Sequence, residues 1–146
     1  MTLKEYFANE IEELFDKKIN YNNLSVDQIN IICEGLMIGI DTIDLFEDGK
    51  YNAYQMEEII DGMRQGIDVS YFLSPEYNYK QMHVIKTALL NEVNVVYLLS
   101  PDFEWDQMYQ ILLGLLNGVE VRHYNDPSIS VTNMIKIRKE LQKRIA

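Results

Sequence analysis

The sequence repeats itself every 26 or 27 residues, and this period limits the folds open to the chain more than any other feature. An amide side chain followed by an apolar one marks each copy: Gln28-Ile29, Gln55-Met56, Gln81-Met82, Gln107-Met108 and Asn133-Met134. We call this amide the anchor and number the other positions of a copy from it. A unit of this length cannot bury its own apolar face, so neighbouring units must stack to make a core.

Apolar residues at positions −2, +1, +4 and +8 predict one amphipathic helix in each copy, because steps of three and four residues lie on one helical face. Position +4 is always isoleucine: Ile32, Ile59, Ile85, Ile111 and Ile137. Gly39, Gly66 and Gly118 stand at position +11, where a left-handed residue ends a helix, and Glu92 takes that place in the third copy. We expect helices of about 12 to 14 residues.

The residue three positions before the anchor gives the glutamine a local explanation. It is Ser25, Asn52, Asn78, Glu104 or Ser130. Serine and asparagine are good N-caps, and a glutamine three residues later completes a capping box. The alternative is a row of amides that reads a ligand.

A short second element is predicted after each long helix. The segments 67–75 and 93–101 are similar in sequence and end in Ser-Pro. Their Val and Tyr content fits a strand. However, Asp41, Asp68 and Asn94 stand where an N-cap would, and Ser-Pro ends a turn abruptly. We therefore interpret these segments as short helices, α or 3₁₀.

These elements predict an all-α fold, an α-solenoid of about five repeats that each pair a long helix with a short one. One domain is expected over residues 1–146, with an N-terminal capping helix in 1–20, helical repeats in 22–129 and a C-terminal capping helix in 130–146. The first helix should have Thr2 and Glu5 as a capping box and carry its apolar residues on one side: Tyr6, Phe7, Ile11, Leu14 and Phe15. The last helix is basic, which suits a helix C-terminus.

The second copy carries the fullest form of the repeat, Gln55-Met56-x-x-Ile59-x-x-Gly62-Met63-x-x-Gly66-x-Asp68-Val69-Ser70-Tyr71. It resembles a repeat found in proteins of Firmicutes, especially clostridial proteins from phages and mobile elements. That repeat reads Gln-Met-x-x-Ile-x-x-Gly-Leu-x-x-Gly-x-Asp-Val-Ser-x-Tyr. The resemblance covers about residues 22 to 146, with Ala88 and Glu92 replacing both glycines in the third copy. It implies an accessory helical module and carries no catalytic residue to this chain.

The chain has 13 basic and 23 acidic side chains, for a formal net charge of −10. Binding to nucleic acid or anionic lipid requires Lys and Arg to replace counterions, so we expect neither and favour a protein partner with a basic surface. The N-terminal residues are acidic and lack a signal-peptide pattern. No apolar run approaches the roughly 20 residues of a membrane span. We therefore expect a cytoplasmic protein.

Side chains able to do chemistry are few. Cys33 is the only cysteine, and the two histidines occupy unlike positions of the repeat, so no zinc site is expected. The stretch 44–55 resembles a calcium loop in part, but Phe46 and Gln55 replace ligands that such a loop needs. Phosphate-binding and catalytic motifs are missing from the sequence. The prediction is a chain without metal, cofactor or enzymatic activity.

The first candidate site for a partner is a set of acids between residues 41 and 61: Asp41, Asp44, Glu47, Asp48, Glu57, Glu58 and Asp61. Such a face would fit a basic groove made for phosphate. The chain would then inhibit a host nucleic-acid-handling defence enzyme, as an anti-CRISPR or antirestriction protein does. In the simpler alternative, the acids are only solvated.

The second candidate site is apolar and lies on the helices at anchors 81 and 107: Leu90, Tyr109, Leu113 and Leu116. Either the short helices cover these side chains within the chain, or the side chains form an interface. An interface between identical chains would make the protein a homo-oligomer. The alternative to an inhibitory role is therefore a self-associating structural scaffold.

Overall fold

The structure is a computed structural model that describes residues 1–145. The predicted all-α class is confirmed over this range. Its seven α-helices are α1 (Leu3–Phe15), α2 (Val26–Met37), α3 (Thr42–Phe46), α4 (Ala53–Arg64), α5 (Tyr79–Leu90), α6 (Trp105–Leu116) and α7 (Val131–Ile145). Its three short 3₁₀ helices are η1 (Val69–Tyr71), η2 (Val95–Leu98) and η3 (Val121–His123). None of these helices is long and apolar enough to cross a membrane.

The long helices begin two residues before their anchors because capping boxes fix their starts. At α2, the Ser25 hydroxyl accepts the Gln28 N–H at 3.1 Å, and Gln28 Oε1 accepts the Ser25 N–H at 2.7 Å. The same two bonds join Asn52 to Gln55 and Asn78 to Gln81. The predicted capping box is confirmed in these three copies.

Left-handed backbone follows the long helices of the repeat. The φ angle is 87° at Gly39, 76° at Gly66 and 71° at Gly118, as predicted. Glu92 takes the same place after α5 and has a φ of 58°. This conformation costs an L side chain free energy that glycine does not lose. The turn therefore imposes the left-handed conformation whichever residue stands there.

The short elements are helical, so the strand alternative is wrong. Asp68 and Asn94 cap η1 and η2, because their Oδ1 atoms accept N–H groups at 3.0 and 3.2 Å. Asp41 precedes α3 without a side-chain cap bond.

A glycine at position +7 lets the short element approach the long helix that precedes it. A Cβ atom on Gly35 would lie 2.2 Å from Thr42 Cγ2, and one on Gly114 would lie 2.0 Å from Tyr124 Oη. Tyr124 is fully buried, and its hydroxyl donates to the Gln110 carbonyl at 2.7 Å. The glycine is thus needed for close approach, and not for a turn.

Positions +1 and +4 are buried as predicted. The fully buried residues at +1 are Ile29, Met56, Met82, Met108 and Met134, and those at +4 are Ile32, Ile59, Ile85 and Ile111. Ile137 differs, since it is only half-buried on α7.

The contacts divide the chain into two compact units, Met1–Asp61 and a second that starts at Gly62. In the first unit, α1 packs on α2 and α2 on α3. In the second, α5 packs on α6 and α6 on α7, with η2 against both α5 and α6. The boundary falls inside α4, so the units do not follow the limits of the repeat.

The apolar residues of α1 do not all face inward. Ile11 is buried and Phe7 and Phe15 are half-buried, but Tyr6 is 48% exposed and Leu14 is 61% exposed. The prediction that these five share the covered side is wrong for Tyr6 and Leu14. At 100° per residue, these two lie on the flank of the helix beside the covered arc.

Candidate functional site

The anchor glutamines make a second set of bonds that the sequence did not predict. Gln81 Nε2 donates to the Phe103 carbonyl at 2.6 Å and to the Pro101 carbonyl at 3.2 Å. The pattern recurs from Gln107 Nε2 to Pro127 and Ile129 at 2.9 and 2.8 Å, and from Gln28 Nε2 to Tyr51 at 2.7 Å. Each of these amides therefore ties its own helix to the segment that leads into the next copy.

These bonds explain why the anchor is glutamine and not glutamate. A capping box needs only an acceptor, whereas the bond to the next copy needs a donor, and an amide supplies both. Gln81 and Gln107 are 4% and 7% exposed, so their polar atoms are used inside the chain. This arrangement favours the structural interpretation of the amide row over the ligand-reading one.

α3 is held in the first unit by its buried side, and its acids point away from that side. Thr42, Ile43 and Phe46 are buried, and the Thr42 hydroxyl donates to the Ile32 carbonyl at 2.6 Å. The exposed acids on α3 and its flanks are Asp41, Asp44 and Asp48. We call these three the α3 acids.

Several acids of segment 41–48 have partners within the first unit. Lys17 Nζ lies 3.9 Å from Asp41 Oδ1, Lys50 Nζ lies 3.7 Å from Asp48 Oδ2, and the Asn20 N–H donates to Glu47 Oε2 at 3.1 Å. Exposed ion pairs of this kind add at most about 1 kcal/mol to stability. They do place positive charge beside the carboxylates, which makes this segment the weaker candidate for a basic partner.

A groove between α2 and α4 gathers a second set of carboxylates. Its volume is about 300 Å³, and its lining consists of Asp27, Asn30, Ile31, Glu34, Ala53, Tyr54 and Glu57. Among the described residues that line the groove, every charged one is an acid. Asp27, Glu34 and Glu57 are all exposed. We call this feature the acidic groove.

The neighbourhood of α2 is electrically negative. Burial raises the pKa of the Cys33 thiol, and the nearby carboxylates of Glu10 and Glu34 raise it further. Asn30 Nδ2 donates to Glu34 Oε1 at 3.1 Å, and both residues line the groove. Like charges held together repel one another, so a cation in the groove would be stabilised.

The seven predicted acids differ in exposure: Asp41, Asp44, Asp48 and Glu57 are exposed, and Glu47, Glu58 and Asp61 are half-buried. Glu57 belongs to the acidic groove. The sequence pattern does not predict Asp27 and Glu34 as members of the acidic site. The signal was present for Glu34, since it occupies position +6 on α2 just as Asp61 does on α4.

The net negative charge of the chain is carried by the first unit. Residues 1–61 hold fourteen acidic and four basic side chains, a net charge of −10, whereas the residues from 62 onward hold nine of each. The field of the first unit reaches about one Debye length, roughly 8 Å at physiological ionic strength. The excess of negative charge is thus found in the first unit.

The predicted apolar site lies on α5 and α6 in the second unit. Leu90, Tyr109 and Leu116 are 42%, 43% and 47% exposed, and Leu113 is half-buried. η2 packs against both helices but leaves these side chains open. Covering by the short helices is thus only partial.

Metal-binding geometry is not found among residues 1–145, where no three His, Cys, Asp or Glu side chains are grouped to hold an ion. Over the same range, every buried side-chain nitrogen and oxygen has a hydrogen-bond partner. Comparison of the chain with family models, curated proteins and solved structures finds no match.

Proposed function

We propose that this chain is a non-enzymatic helical-repeat protein whose acidic groove binds a protein partner with a basic surface. The observation that carries the proposal is the convergence of Asp27, Glu34 and Glu57 on one groove, in the unit that holds the whole net charge of −10. Arginine and lysine side chains of a partner would form charge-assisted hydrogen bonds with these carboxylates.

Contacts within the repeat hold the two sides of the acidic groove together before a partner binds. Gln28 Oε1 accepts the Ser25 N–H at the start of α2, and Gln28 Nε2 donates to the Tyr51 carbonyl in the segment that leads into α4. The two helices that carry the groove are therefore joined at their N-terminal ends by a single side chain. A preorganised site loses less conformational entropy on binding, which raises affinity without further contacts.

In its most specific form, the proposal makes the partner a host nucleic-acid-handling defence enzyme. The resemblance to phage and mobile-element repeats motivates this form, together with the acidity of the first unit. Carboxylates would occupy a basic surface made for phosphate, so the enzyme would not hold nucleic acid and this chain at once. The action would be that of an anti-CRISPR or antirestriction protein.

Affinity capture from host lysate, read by mass spectrometry, tests the proposal when the wild-type chain is compared with two variants. Asp27→Asn/Glu34→Gln/Glu57→Gln neutralises the groove with side chains of equal size. Glu76→Gln/Glu92→Gln/Asp102→Asn removes the same charge from exposed positions of the second unit. We expect the partner to be lost from the groove variant alone, because only that variant changes the binding carboxylates.

The two levels of the proposal fail in different ways. Equal capture by the wild-type chain and the groove variant would reject the acidic groove as the binding site. Duplex DNA added to the captured complex should release the partner if the chain occupies a phosphate-binding surface. A partner that binds DNA and this chain together would reject the inhibitory form and leave the binding proposal intact.

The exposed side chains of α5 and α6 favour a second candidate, a self-associating scaffold. Leu90, Tyr109 and Leu116 are each more than two-fifths exposed on adjacent helices. An interface there would bury apolar area at about 25 cal/mol per Å² before association costs are subtracted. Leu116→Lys would then lower the association constant, and sedimentation showing a monomer at several hundred micromolar would reject the idea.

A further inference from the structure

α7 carries an open apolar groove with a basic rim. The groove has a volume of about 480 Å³ and is lined by His123, Lys136, Ile137, Glu140, Leu141 and Arg144. Ile137 and Leu141 are half-buried in it. At position +4, where Ile137 stands, the isoleucines of the four earlier copies are 0% exposed. The groove therefore exposes the side of the helix that the repeat elsewhere covers by stacking.

The charge around this groove is positive. Lys136 and Arg144 are exposed on its rim, and Glu140 is the one acid in its lining as described over residues 1–145. Arg138, by contrast, is bonded to Gln110 and Gln142 on the side that faces α6. A surface that fits the groove therefore combines apolar side chains with nearby carboxylates.

α1 presents a surface of that kind. Leu3, Tyr6 and Leu14 are 55%, 48% and 61% exposed. At 100° per residue, these three lie with Glu10 and Glu13 within an arc of about 100° on one flank of the helix. This flank therefore places exposed apolar side chains beside carboxylates.

We propose that the basic groove of α7 binds the acidic, apolar flank of α1 from a second copy of this chain. Ile137 and Leu141 would contact Leu3, Tyr6 and Leu14, while Lys136 and Arg144 would pair with Glu10 and Glu13. The two surfaces differ from each other, so the contact is heterologous and joins copies head to tail. Each copy keeps one surface of each kind open, so the assembly grows with concentration. The contact is small and charged, so it weakens as salt rises.

Weight-average mass from sedimentation equilibrium, measured at low and high salt, tests the proposal. The wild-type chain should rise from the 17.2 kDa of one copy to at least twice that mass at several hundred micromolar in low salt. It should return toward one copy in high salt. Lys136→Glu/Arg144→Glu reverses the groove, and Glu10→Lys/Glu13→Lys reverses the flank. Each variant alone should associate at least tenfold more weakly.

A mixture of the two variants is the decisive arm, because each variant then meets an opposite charge at both its groove and its flank. The mixture should associate as strongly as wild type. Lys139→Glu/Lys143→Glu changes α7 by the same charge outside the groove and should leave association unchanged. Lys136→Ala/Arg144→Ala is a second groove variant with less effect on folding, which circular dichroism checks in every case.

Any of four results would overturn the proposal. The wild-type chain could stay at one copy throughout the concentration range. The mixture of reversed variants could remain monomeric while wild type associates. Finally, Leu116→Lys, outside both surfaces, could abolish association while the groove variants keep it, which would assign self-association to α5 and α6. Binding of an unrelated protein in the groove without self-association would also contradict it.

Discussion

Replacing Gln81 with glutamate changes one atom of the anchor and separates its two roles. The substituted side chain keeps an oxygen for the Asn78 N–H, so the capping half of its work survives. It loses the donor that now reaches the Phe103 and Pro101 carbonyls at 2.6 and 3.2 Å. An ionised oxygen would instead face two carbonyl oxygens at a position only 4% exposed.

The size of the effect follows from these contacts. Two hydrogen bonds at about 1 kcal/mol each are lost, and the buried oxygen that replaces the amide nitrogen has no donor and adds about 1 to 2 kcal/mol. We therefore expect Gln81→Glu to lower the free energy of unfolding by about 3 to 4 kcal/mol at pH 7, measured by urea denaturation. Gln28→Glu should lose less, because Gln28 is only half-buried and its amide makes one such bond, to Tyr51.

The pH dependence of this loss identifies its cause. Burial against carbonyls raises the folded-state pKa of the introduced carboxyl above its unfolded value of about 4.3. A raised folded pKa gives stability that is present below the unfolded pKa and lost as pH rises through the folded pKa. The gap between Gln81→Glu and wild type should therefore narrow from pH 7 to about pH 4. A loss under about 0.5 kcal/mol, or one equal at both pH values, would refute the reasoning.

Three further predictions follow from the packing and backbone. Gly114→Ala should destabilise the chain by about 1 to 3 kcal/mol, since the new Cβ would lie 2.0 Å from Tyr124 Oη. In calorimetry, Gly114→Ala should cost less stability in a Tyr124→Phe background than in wild type. Losses that simply add would contradict the clash. Tyr124→Phe alone should cost about 1 to 2 kcal/mol, because the Gln110 carbonyl loses its donor. Burial raises the pKa of Tyr124 to about 12, so the wild-type chain should lose stability between about pH 10 and pH 12. Unfolding monitored by fluorescence should show a smaller loss for Tyr124→Phe over the same pH range. Glu92→Gly should stabilise by about 0.5 to 1 kcal/mol because φ is 58° there, and a lower melting temperature would contradict this.

Local chemistry explains why much of the fold was predictable from the sequence. Helix starts depend on a cap and its partner three residues later, as at Ser25 and Gln28, and both lie in one short window. The buried isoleucines follow from helical periodicity. At Glu92 the glycine signal is missing, and only the structure shows that its backbone is left-handed as well.

The remaining features depend on which segments meet in space, and a linear pattern does not contain that information. The second bond of Gln81 reaches residues 20 and 22 positions further along the chain. Sequence order places Glu57 beside Glu58, but the acidic groove joins it to Asp27 and Glu34 on another helix. The repeat frame could have paired α2 with α4. It could not show that Glu58 is half-buried.

The central claim is that the carboxylates of the acidic groove recruit a basic partner by electrostatic attraction. Association kinetics between this chain and the captured partner test it most directly, at about 30 mM and about 300 mM salt. The association rate constant of wild type should fall at least tenfold between these conditions, and Asp27→Asn/Glu34→Gln/Glu57→Gln should be slower than wild type at low salt. Rate constants that depend on neither salt nor the groove charges would contradict the account.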